Sequence, residues 1–125
     1  MAFVICGIGV DAVDIERFRR SLERTPSMRE RLFTAHELAY VAQKADPVPS
    51  LAARFASREA VMKAMGLGLG AFGFHDVWVD RRESGEPHLN VTGRAAELAQ
   101  ERGIATWHLS ITHTDQVAIA YVVAS

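Results

Sequence analysis

Two apolar segments near the C-terminus limit most strongly the folds that this chain can adopt. Trp107, Leu109 and Ile111 alternate with polar residues. A turn at Asp115-Gln116 then separates them from a second apolar segment, 117–123. Strict alternation is typical of a strand with one buried face, and two strands joined by so short a turn pair in antiparallel fashion. The sequence therefore predicts an antiparallel hairpin in this region.

The rest of the chain adds further strand signals and several helical ones. An apolar run over 2–10 predicts a first strand that ends near Asp11. A turn at 84–86 joins two more predicted strands, 74–79 and 87–91. The predicted helical segments are 13–24, a helix that opens at Thr34, 51–65 and 92–102. Because the last strands follow one another in sequence, we expect an α+β fold, a mainly antiparallel sheet packed with helices, in a single domain over 1–125.

Charge and composition exclude several classes of protein. The formal net charge of −1 gives no excess that would attract nucleic acid or an anionic membrane, and no apolar run is long enough to span a bilayer. Cys6 is the only cysteine, so no intrachain disulfide can form, and its apolar neighbours predict a buried side chain. We therefore expect a cytoplasmic protein without nucleic-acid or membrane partners.

Polar residues in capping positions mark the starts of three helices. Thr34 followed three residues later by Glu37 forms a capping-box pattern. Ser50 is the expected N-cap of the helix over 51–65, and Thr92 is the expected N-cap of the last helix. These residues divide the helical segments from the turns before them.

Three separated segments carry the residues that are able to do chemistry. They are 7–11 (G-I-G-V-D), 55–64 (F-A-S-R-E-A-V-M-K-A) and 107–114 (W-H-L-S-I-T-H-T). Taken singly, each has an ordinary structural explanation. Asp11 could cap the following helix, and His113 could be an inert residue at the end of a hairpin. Glu59 and Lys63 could form a solvated i,i+4 ion pair.

The position of Glu59 on its helix favours a functional explanation. The apolar stripe of this helix consists of Leu51, Phe55, Met62 and Met65. Glu59 borders that stripe, so its carboxylate loses hydration unless a cation compensates the charge. Lys63 supplies part of the compensation, and Mg²⁺, typically held by one or two carboxylates plus substrate phosphates, would supply more. Asp11 and Glu59 are suitable magnesium ligands in kind and number.

The glycine-rich segment after this helix imitates a dinucleotide-binding fingerprint. Residues 68–73 match G-x-G-x-x-G, but they follow a helix and precede a strand, which reverses the order that a Rossmann site needs. No G-x-x-x-x-G-K-[ST] pattern occurs either. The segment, which begins at Gly66, either approaches a phosphate or an adenine through its backbone or simply ends the helix, and the sequence leaves both explanations open.

Taken together, the three segments resemble the holo-acyl-carrier-protein synthases of the 4′-phosphopantetheinyl transferase superfamily. The resemblance rests on G-V-D at 9–11, R-F-A-S-R-E-A-V-M-K-A at 54–64 and H-L-S-I-T-H at 108–113, in that order. It implies the fold of that superfamily, coenzyme A as substrate, Mg²⁺ as cofactor, an apo acyl-carrier protein as partner and a homotrimer. Arg58 stands where the family usually has lysine, which leaves open whether the affinity for coenzyme A changes.

The resemblance also implies a role for individual residues. Asp11 and Glu59 would hold Mg²⁺, and Lys63 would lie near the phosphates of coenzyme A, so these three are the implied catalytic residues. Arg54 and His113 would contact coenzyme A bound to a neighbouring subunit. The other implied coenzyme A contacts are Gly66 and Thr114.

The implied reaction is attack by a carrier-protein serine on the β-phosphate of coenzyme A, which transfers phosphopantetheine and releases adenosine 3′,5′-bisphosphate. Mg²⁺ and Lys63 would offset the developing charge, and either Glu59 or a metal-ordered water would accept the serine proton. Two alternatives stay open. His108-Leu109-Ser110 matches one of the two H-x-[ST] elements that a 2H-type phosphoesterase needs, and a carrier-binding module could keep the fold without catalysis. The type of carrier protein is not determined.

Three arginines of the first helix form a candidate surface for the carrier protein. Arg17, Arg20 and Arg24 recur at i, i+3 and i+7, so a helix aligns them on one face. Such a stripe is commonly only solvated. Carrier proteins are generally acidic, however, and a basic stripe would steer their approach.

Overall fold

Five strands and five helices make up the part of the chain that the computed structural model describes, residues 4–125. The strands are β1 (Gly7–Asp14), β2 (Val77–Arg81), β3 (Pro87–Val91), β4 (Trp107–His113) and β5 (Val117–Ala124). The helices are α1 (Ile15–Arg24), α2 (Met28–Leu32), α3 (Ala35–Val41), α4 (Val48–Ala64) and α5 (Gly93–Glu101), with a 3₁₀ turn at Phe74–Asp76. Residues 2 and 3, the start of the predicted first strand, lie outside the described residues.

Both sheets are antiparallel, as the sequence predicts. β5 lies between β1 and β4, so Asp11 and Ile111 are both opposite Ala120, and β2 pairs with β3 in a separate hairpin. Every second residue of β5 is buried, namely Ala118, Ala120, Val122 and Ala124. This alternation places one face of the three-stranded sheet against the helices and confirms the α+β prediction.

α4 is the central helix, and its surroundings differ from the single apolar stripe predicted for it. Twelve of its 17 residues are buried, while Phe55, a predicted member of the stripe, is only half-buried. A helix that is covered around most of its circumference belongs to the interior of the fold. Arg54 and Arg58 are among its buried residues, so their charges need partners inside the protein.

Asp14 caps α1, and Thr92 occupies the predicted N-cap position of α5 without a side-chain hydrogen bond to the described part of that helix. β1 continues through Asp11 and ends at Asp14, whose side chain caps α1 by accepting a hydrogen bond from the N–H of Arg17 at 2.8 Å. Thr92 precedes α5, but its hydroxyl donates to the carbonyl of Asp76 instead of capping the helix. Asp11 therefore has no capping role, and its side chain is left for another function.

The start of α4 also differs from the prediction, whereas the start of α3 agrees with it. α4 begins at Val48, whose N–H donates to the carboxylate of Asp46 at 3.2 Å, so Ser50 lies inside the helix. At α3, the side chain of Thr34 accepts from the N–H of Glu37, and Glu37 accepts from the N–H of Thr34. The predicted capping box is therefore confirmed.

The face of the three-stranded sheet that points away from α4 is apolar and exposed. Ile8, Val10 and Tyr121 expose 53%, 49% and 45% of their surface. Cys6, predicted to be buried, is also exposed because it precedes β1. We define the outer sheet face by Ile8, Val10, Ile119, Tyr121 and Val123.

Between residues 4 and 125, none of the helices has the length and apolar character needed to cross a bilayer.

Candidate active site

Two glycines let β1 approach α4 closely. A Cβ atom at Gly9 would lie 1.9 Å from the carbonyl oxygen of Ala60, and a Cβ atom at Gly7 would lie 1.8 Å from the carbonyl oxygen of Ala64. Both distances are far inside van der Waals contact, so no larger residue fits without moving the helix. The sequence signal of this crossing is a pair of small residues in each element, Gly7 and Gly9 in the strand and Ala60 and Ala64 in the helix. The predictions from sequence did not include it.

The crossing brings two of the predicted catalytic residues into contact. Asp11 lies on the same face of β1 as Gly9, because alternate residues of a strand share a face. The Nζ of Lys63 donates to Asp11 Oδ1 at 2.9 Å and to the carbonyl of Val10 at 3.2 Å. The predicted i,i+4 partner of Lys63 was Glu59, whereas the lysine pairs with the strand aspartate instead. This pairing connects segments that are 52 residues apart.

Glu59 is the carboxylate of this region that has no ion pair. No basic group among residues 4–125 lies within 4.0 Å of it, and it is half-buried. Burial raises the pKa of Glu59 above its usual value, the nearby Asp11 raises it further, and Lys63 lowers it. The site therefore holds two carboxylates close enough to repel each other, with only one lysine to offset them.

Asp11 and Glu59 line the same pocket, which has a volume of about 500 Å³. Phe18, Phe55 and Leu69 supply an apolar wall, and Arg17 of α1 borders the same space. Charged and apolar side chains thus line the same pocket. Such an arrangement is typical of a site that orients a substrate and acts on it at one point.

The ligand set fits a hydrated divalent cation better than a metal enclosed by protein. Within the described chain, no three His, Cys, Asp or Glu side chains are arranged to hold a metal ion. Mg²⁺ needs only one or two protein carboxylates, because water and substrate phosphates complete its octahedral shell. Asp11 and Glu59, which repel each other and share one lysine, match that requirement.

A second pocket lies on the other side of Lys63 and includes another predicted residue. Its volume is about 550 Å³, and its lining includes Cys6, Lys63, Gly66 and Arg102. Gly66 follows the end of α4 with φ at +70°, a conformation that favours glycine, and its N–H donates to the carbonyl of Lys63 at 3.0 Å. Gly66 thus lines the same pocket as Lys63, and its contact with coenzyme A stays a prediction.

Arg54, a predicted coenzyme A contact, is held inside the chain. Its side chain is 3% exposed, its guanidinium lies 4.8 Å from the centre of the Tyr40 ring, and burial lowers its pKa. Nη1 donates weakly to the carbonyl of Ser50 at 3.5 Å, and Nε has no hydrogen-bond partner. Arg54 does not line the pocket of Asp11 and Glu59, so the two parts of the predicted site are separate within one chain.

Glu37 is a buried ionic residue that the sequence analysis identified only as a helix cap. Its carboxylate is fully buried and accepts hydrogen bonds from Arg58 Nη1 and Nη2, from the N–H of Val79 and from the N–H of Thr34. Arg58 also donates to the carbonyl groups of Phe74 and Arg54. Since Arg58 is fully buried, it makes no direct contact at the surface.

His113 and Thr114 lie at the end of β4, away from the carboxylates. His113 is opposite Ala118, which is in turn opposite Val13 of β1. Its Nδ1 lies 3.3 Å from the carbonyl oxygen of Thr114, whose hydroxyl accepts from the N–H of Val117 in the turn before β5. Neither residue lines the pocket of the two carboxylates. The contact of Thr114 with coenzyme A, and that of His113 with the coenzyme A of a neighbouring subunit, thus stay predictions.

The three predicted carrier-binding arginines are exposed on α1. Arg17, Arg20 and Arg24 make no ion pair with any residue between 4 and 125, whereas Arg19 on another face of the helix pairs with Glu16 and Asp46. The stripe therefore keeps its positive charge available at the surface. Because Arg17 also borders the pocket of Asp11 and Glu59, the stripe begins at the candidate site.

Comparison with known sequences identifies relatives along nearly the whole chain. A family model described as the 4′-phosphopantetheinyl transferase superfamily matches residues 7–122. Among curated proteins, a holo-[acyl-carrier-protein] synthase from Kocuria rhizophila is 49% identical over 121 residues, which cover 97% of this chain and 93% of that protein. The matched range contains Asp11, Glu59 and Lys63.

Solved structures of similar proteins share the fold. A holo-[acyl-carrier-protein] synthase from Neisseria meningitidis matches with a TM-score of 0.89 at 32% identity, covering 98% of this chain and 99% of that chain. A holo-(acyl-carrier-protein) synthase from Bacillus anthracis, solved in complex with CoA (3′,5′-ADP), matches with a TM-score of 0.80 at 30% identity and covers 96% of both chains.

Proposed function

This chain belongs to the 4′-phosphopantetheinyl transferase superfamily and is an enzyme of the holo-[acyl-carrier-protein] synthase type, and from that premise we propose the chemistry of its site. It transfers 4′-phosphopantetheine from coenzyme A to a serine of an apo acyl-carrier protein, releases adenosine 3′,5′-bisphosphate and requires Mg²⁺. The observation that carries the proposal is the meeting of Asp11, Glu59 and Lys63 where β1 crosses α4.

Each of the three residues has a proposed task. Asp11 and Glu59 hold Mg²⁺, which when bound offsets the negative charge of the pyrophosphate. Lys63 keeps Asp11 in place through its 2.9 Å bond and adds a second positive charge beside the phosphates. We propose that the serine proton passes either to Glu59 or to a metal-ordered water. Catalysis then depends mainly on positioning and on charge stabilisation.

The transfer is tested by mass spectrometry of the acceptor. The purified chain is incubated with coenzyme A, Mg²⁺ and a panel of apo carrier proteins of the fatty-acid, polyketide and peptide-synthesis types. We expect at least one carrier to gain the mass of one phosphopantetheine group, and replacing its acceptor serine by alanine should abolish the gain. A chain that binds a carrier tightly but never modifies any member of the panel would be a non-catalytic binding module.

The α1 stripe of Arg17, Arg20 and Arg24 is proposed as the carrier-protein contact. It is exposed, makes no ion pair with residues 4–125 and begins at the pocket of Asp11 and Glu59, so an acidic carrier docked there would present its serine to that pocket. Charge reversal at Arg20 and Arg24 should raise the KM for the carrier several-fold at low salt and leave the KM for coenzyme A unchanged. Unaltered carrier kinetics in that variant would remove the stripe from the docking surface.

A homotrimer is proposed as the active assembly. The outer sheet face presents apolar side chains, and a contiguous exposed apolar surface of this kind commonly marks a contact between proteins. Arg54 and His113, which do not reach the carboxylates of their own chain, would then serve the coenzyme A of a neighbour. Mixing an Asp11→Asn chain with a His113→Ala chain should partly restore activity, while an active monomer in light scattering would contradict the shared site.

A further inference from the structure

The only buried side-chain polar atom without a hydrogen bond among residues 4–125 belongs to Arg54. Its Nε lies 3.9 Å from Glu37 Oε2, close enough for electrostatic attraction but too far for a hydrogen bond. A guanidinium carries five N–H donors and is costly to bury without partners. Arg54 therefore sits next to a carboxylate that does not satisfy it.

The reason is that Glu37 is already saturated. A carboxylate has about four lone-pair positions. Five donors point at them here: two N–H groups of Arg58, the N–H of Val79, and both the N–H and the hydroxyl of Thr34. Arg58 alone takes one donor to each oxygen, which is the bidentate geometry that a guanidinium can adopt and a lysine ammonium cannot.

Two cations thus share one carboxylate, and the positive charge that remains lies directly beneath the surface. The guanidinium of Arg54 lies 4.8 Å from the centre of the half-buried Tyr40 ring, and the Nζ of the exposed Lys44 lies 5.3 Å from the same centre. Burial disfavours an uncompensated cation, so an anion that binds beside Tyr40 would be attracted to both Arg54 and Lys44.

We propose that Arg58 is a positioning residue that acts through Glu37: by occupying both carboxylate oxygens it keeps Nε of Arg54 from binding Glu37, so that the Arg54 guanidinium stays available to an anionic group of coenzyme A. This inference rests on the proposed function, specifically on Arg54 as a contact for that substrate. Arg58 itself touches neither the substrate nor the catalytic carboxylates, because its guanidinium is fully buried around Glu37.

The substitution that tests the proposal is Arg58→Lys. A single ammonium group cannot occupy both oxygens in bidentate fashion, so Glu37 Oε2 becomes available to Arg54 Nε, which needs to move only about 1 Å to reach ordinary hydrogen-bond distance. We expect the KM for coenzyme A to rise about three- to tenfold, with kcat within about twofold of the original. A purely structural disturbance of α4 would instead lower kcat, since Glu59 follows Arg58 directly.

A double-mutant cycle separates positioning from folding. In an Arg54→Met background, Arg58→Lys should not raise the KM for coenzyme A further. An equal rise in both backgrounds would overturn the proposal, and so would an Arg54→Met chain whose KM is unchanged. In either case phosphopantetheine transfer by the unmodified chain would still stand, so failure of this inference is distinguishable from failure of the proposed function.

A second variant covers the case in which Arg58→Lys does not fold. The pair Glu37→Gln with Arg58→Met removes both charges together, which proteins tolerate better than removal of one. Because no carboxylate is left to bind Arg54, its donors stay free, and the KM for coenzyme A should lie close to that of the unmodified chain. A KM as high as that of Arg54→Met would contradict the proposal.

Discussion

The two sides of α4 handle buried charge in opposite ways. On the side of α3 and β2, Glu37 and Arg58 are fully buried and each is satisfied by several hydrogen bonds. On the side of β1, Lys63 pairs with Asp11, and Glu59 makes no ion pair with any residue of 4–125. Removing one partner from the first arrangement leaves a buried charge uncompensated, whereas the second holds a carboxylate that only a bound cation would compensate. The difference predicts that neutralising a carboxylate lowers mainly the stability on the α3 and β2 side and mainly the turnover on the β1 side.

The largest effect on stability is expected for Glu37→Gln. The amide keeps the shape of the side chain but leaves Arg58 buried without its counter-charge, which costs about 3–5 kcal/mol of unfolding free energy. Urea denaturation of the purified variant measures this loss. A loss below about 1 kcal/mol would mean that the buried cluster is not a stabilising unit, and the contrast between the two sides of α4 would fail.

The next largest effect is expected where β1 crosses α4. In Gly9→Ala the new methyl group meets the carbonyl oxygen of Ala60 at 1.9 Å, so the strand and the helix must separate. Such overpacking costs about 3 kcal/mol, and the separation also draws Asp11 away from Lys63. Gly68→Ala is the matched control, because nothing lies within 4 Å of its position, and it should change stability by less than about 1 kcal/mol.

Neutralising a carboxylate on the β1 side should affect turnover and spare the fold. Asp11→Asn and Glu59→Gln are each expected to lower kcat about 100-fold or more, which corresponds to about 2.7 kcal/mol of lost transition-state stabilisation. Without Mg²⁺, Glu59→Gln should unfold at the same or a higher urea concentration, because the repulsion from Asp11 is removed.

Asp14→Asn is the control for these two variants. Asp14 lies on the same strand and borders the same pocket, but its carboxylate caps α1, and asparagine caps helices equally well. Its turnover should therefore stay close to that of the unmodified chain. Turnover of Glu59→Gln near the original value at saturating Mg²⁺ would remove Glu59 from the metal site.

The sequence predicted most of the secondary structure and pointed to Asp11, Glu59 and Lys63 as candidate catalytic residues, but it did not predict how those residues pair. The hairpins and α4 were predictable because their signals are local: alternation, turn residues and helical periodicity. The capping box of Thr34 and Glu37 was predictable for the same reason. The pairing of Glu37 with Arg58 was not, because it joins residues 21 positions apart and depends on how α3 packs against α4.

The β1 side illustrates the same limit. Asp11 was identified from a motif, but its place within the strand and its bond to Lys63 follow from the packing of β1 against α4. From the i,i+4 spacing alone, Lys63 was expected to form an ion pair with Glu59, one helical turn away. A tertiary contact made possible by Gly7 and Gly9 prevails over that weak local pair.

The smallest predicted effect concerns the edge of the buried cluster. Thr34→Ala removes the hydroxyl that accepts from the N–H of Glu37 and donates to Glu37 Oε1 at 3.2 Å, yet the carboxylate keeps its bonds to the N–H of Thr34, to Arg58 and to Val79. We therefore expect the ordinary cost of a lost N-cap, about 1 kcal/mol, with kcat and the KM for coenzyme A unchanged. Urea denaturation and steady-state kinetics measure the two expectations, and Thr34→Ser, which keeps the hydroxyl, should restore the stability. A loss as large as that of Glu37→Gln would show that the cap and the buried ion pair are one cooperative unit, so the stabilising side of α4 would extend through the whole start of α3.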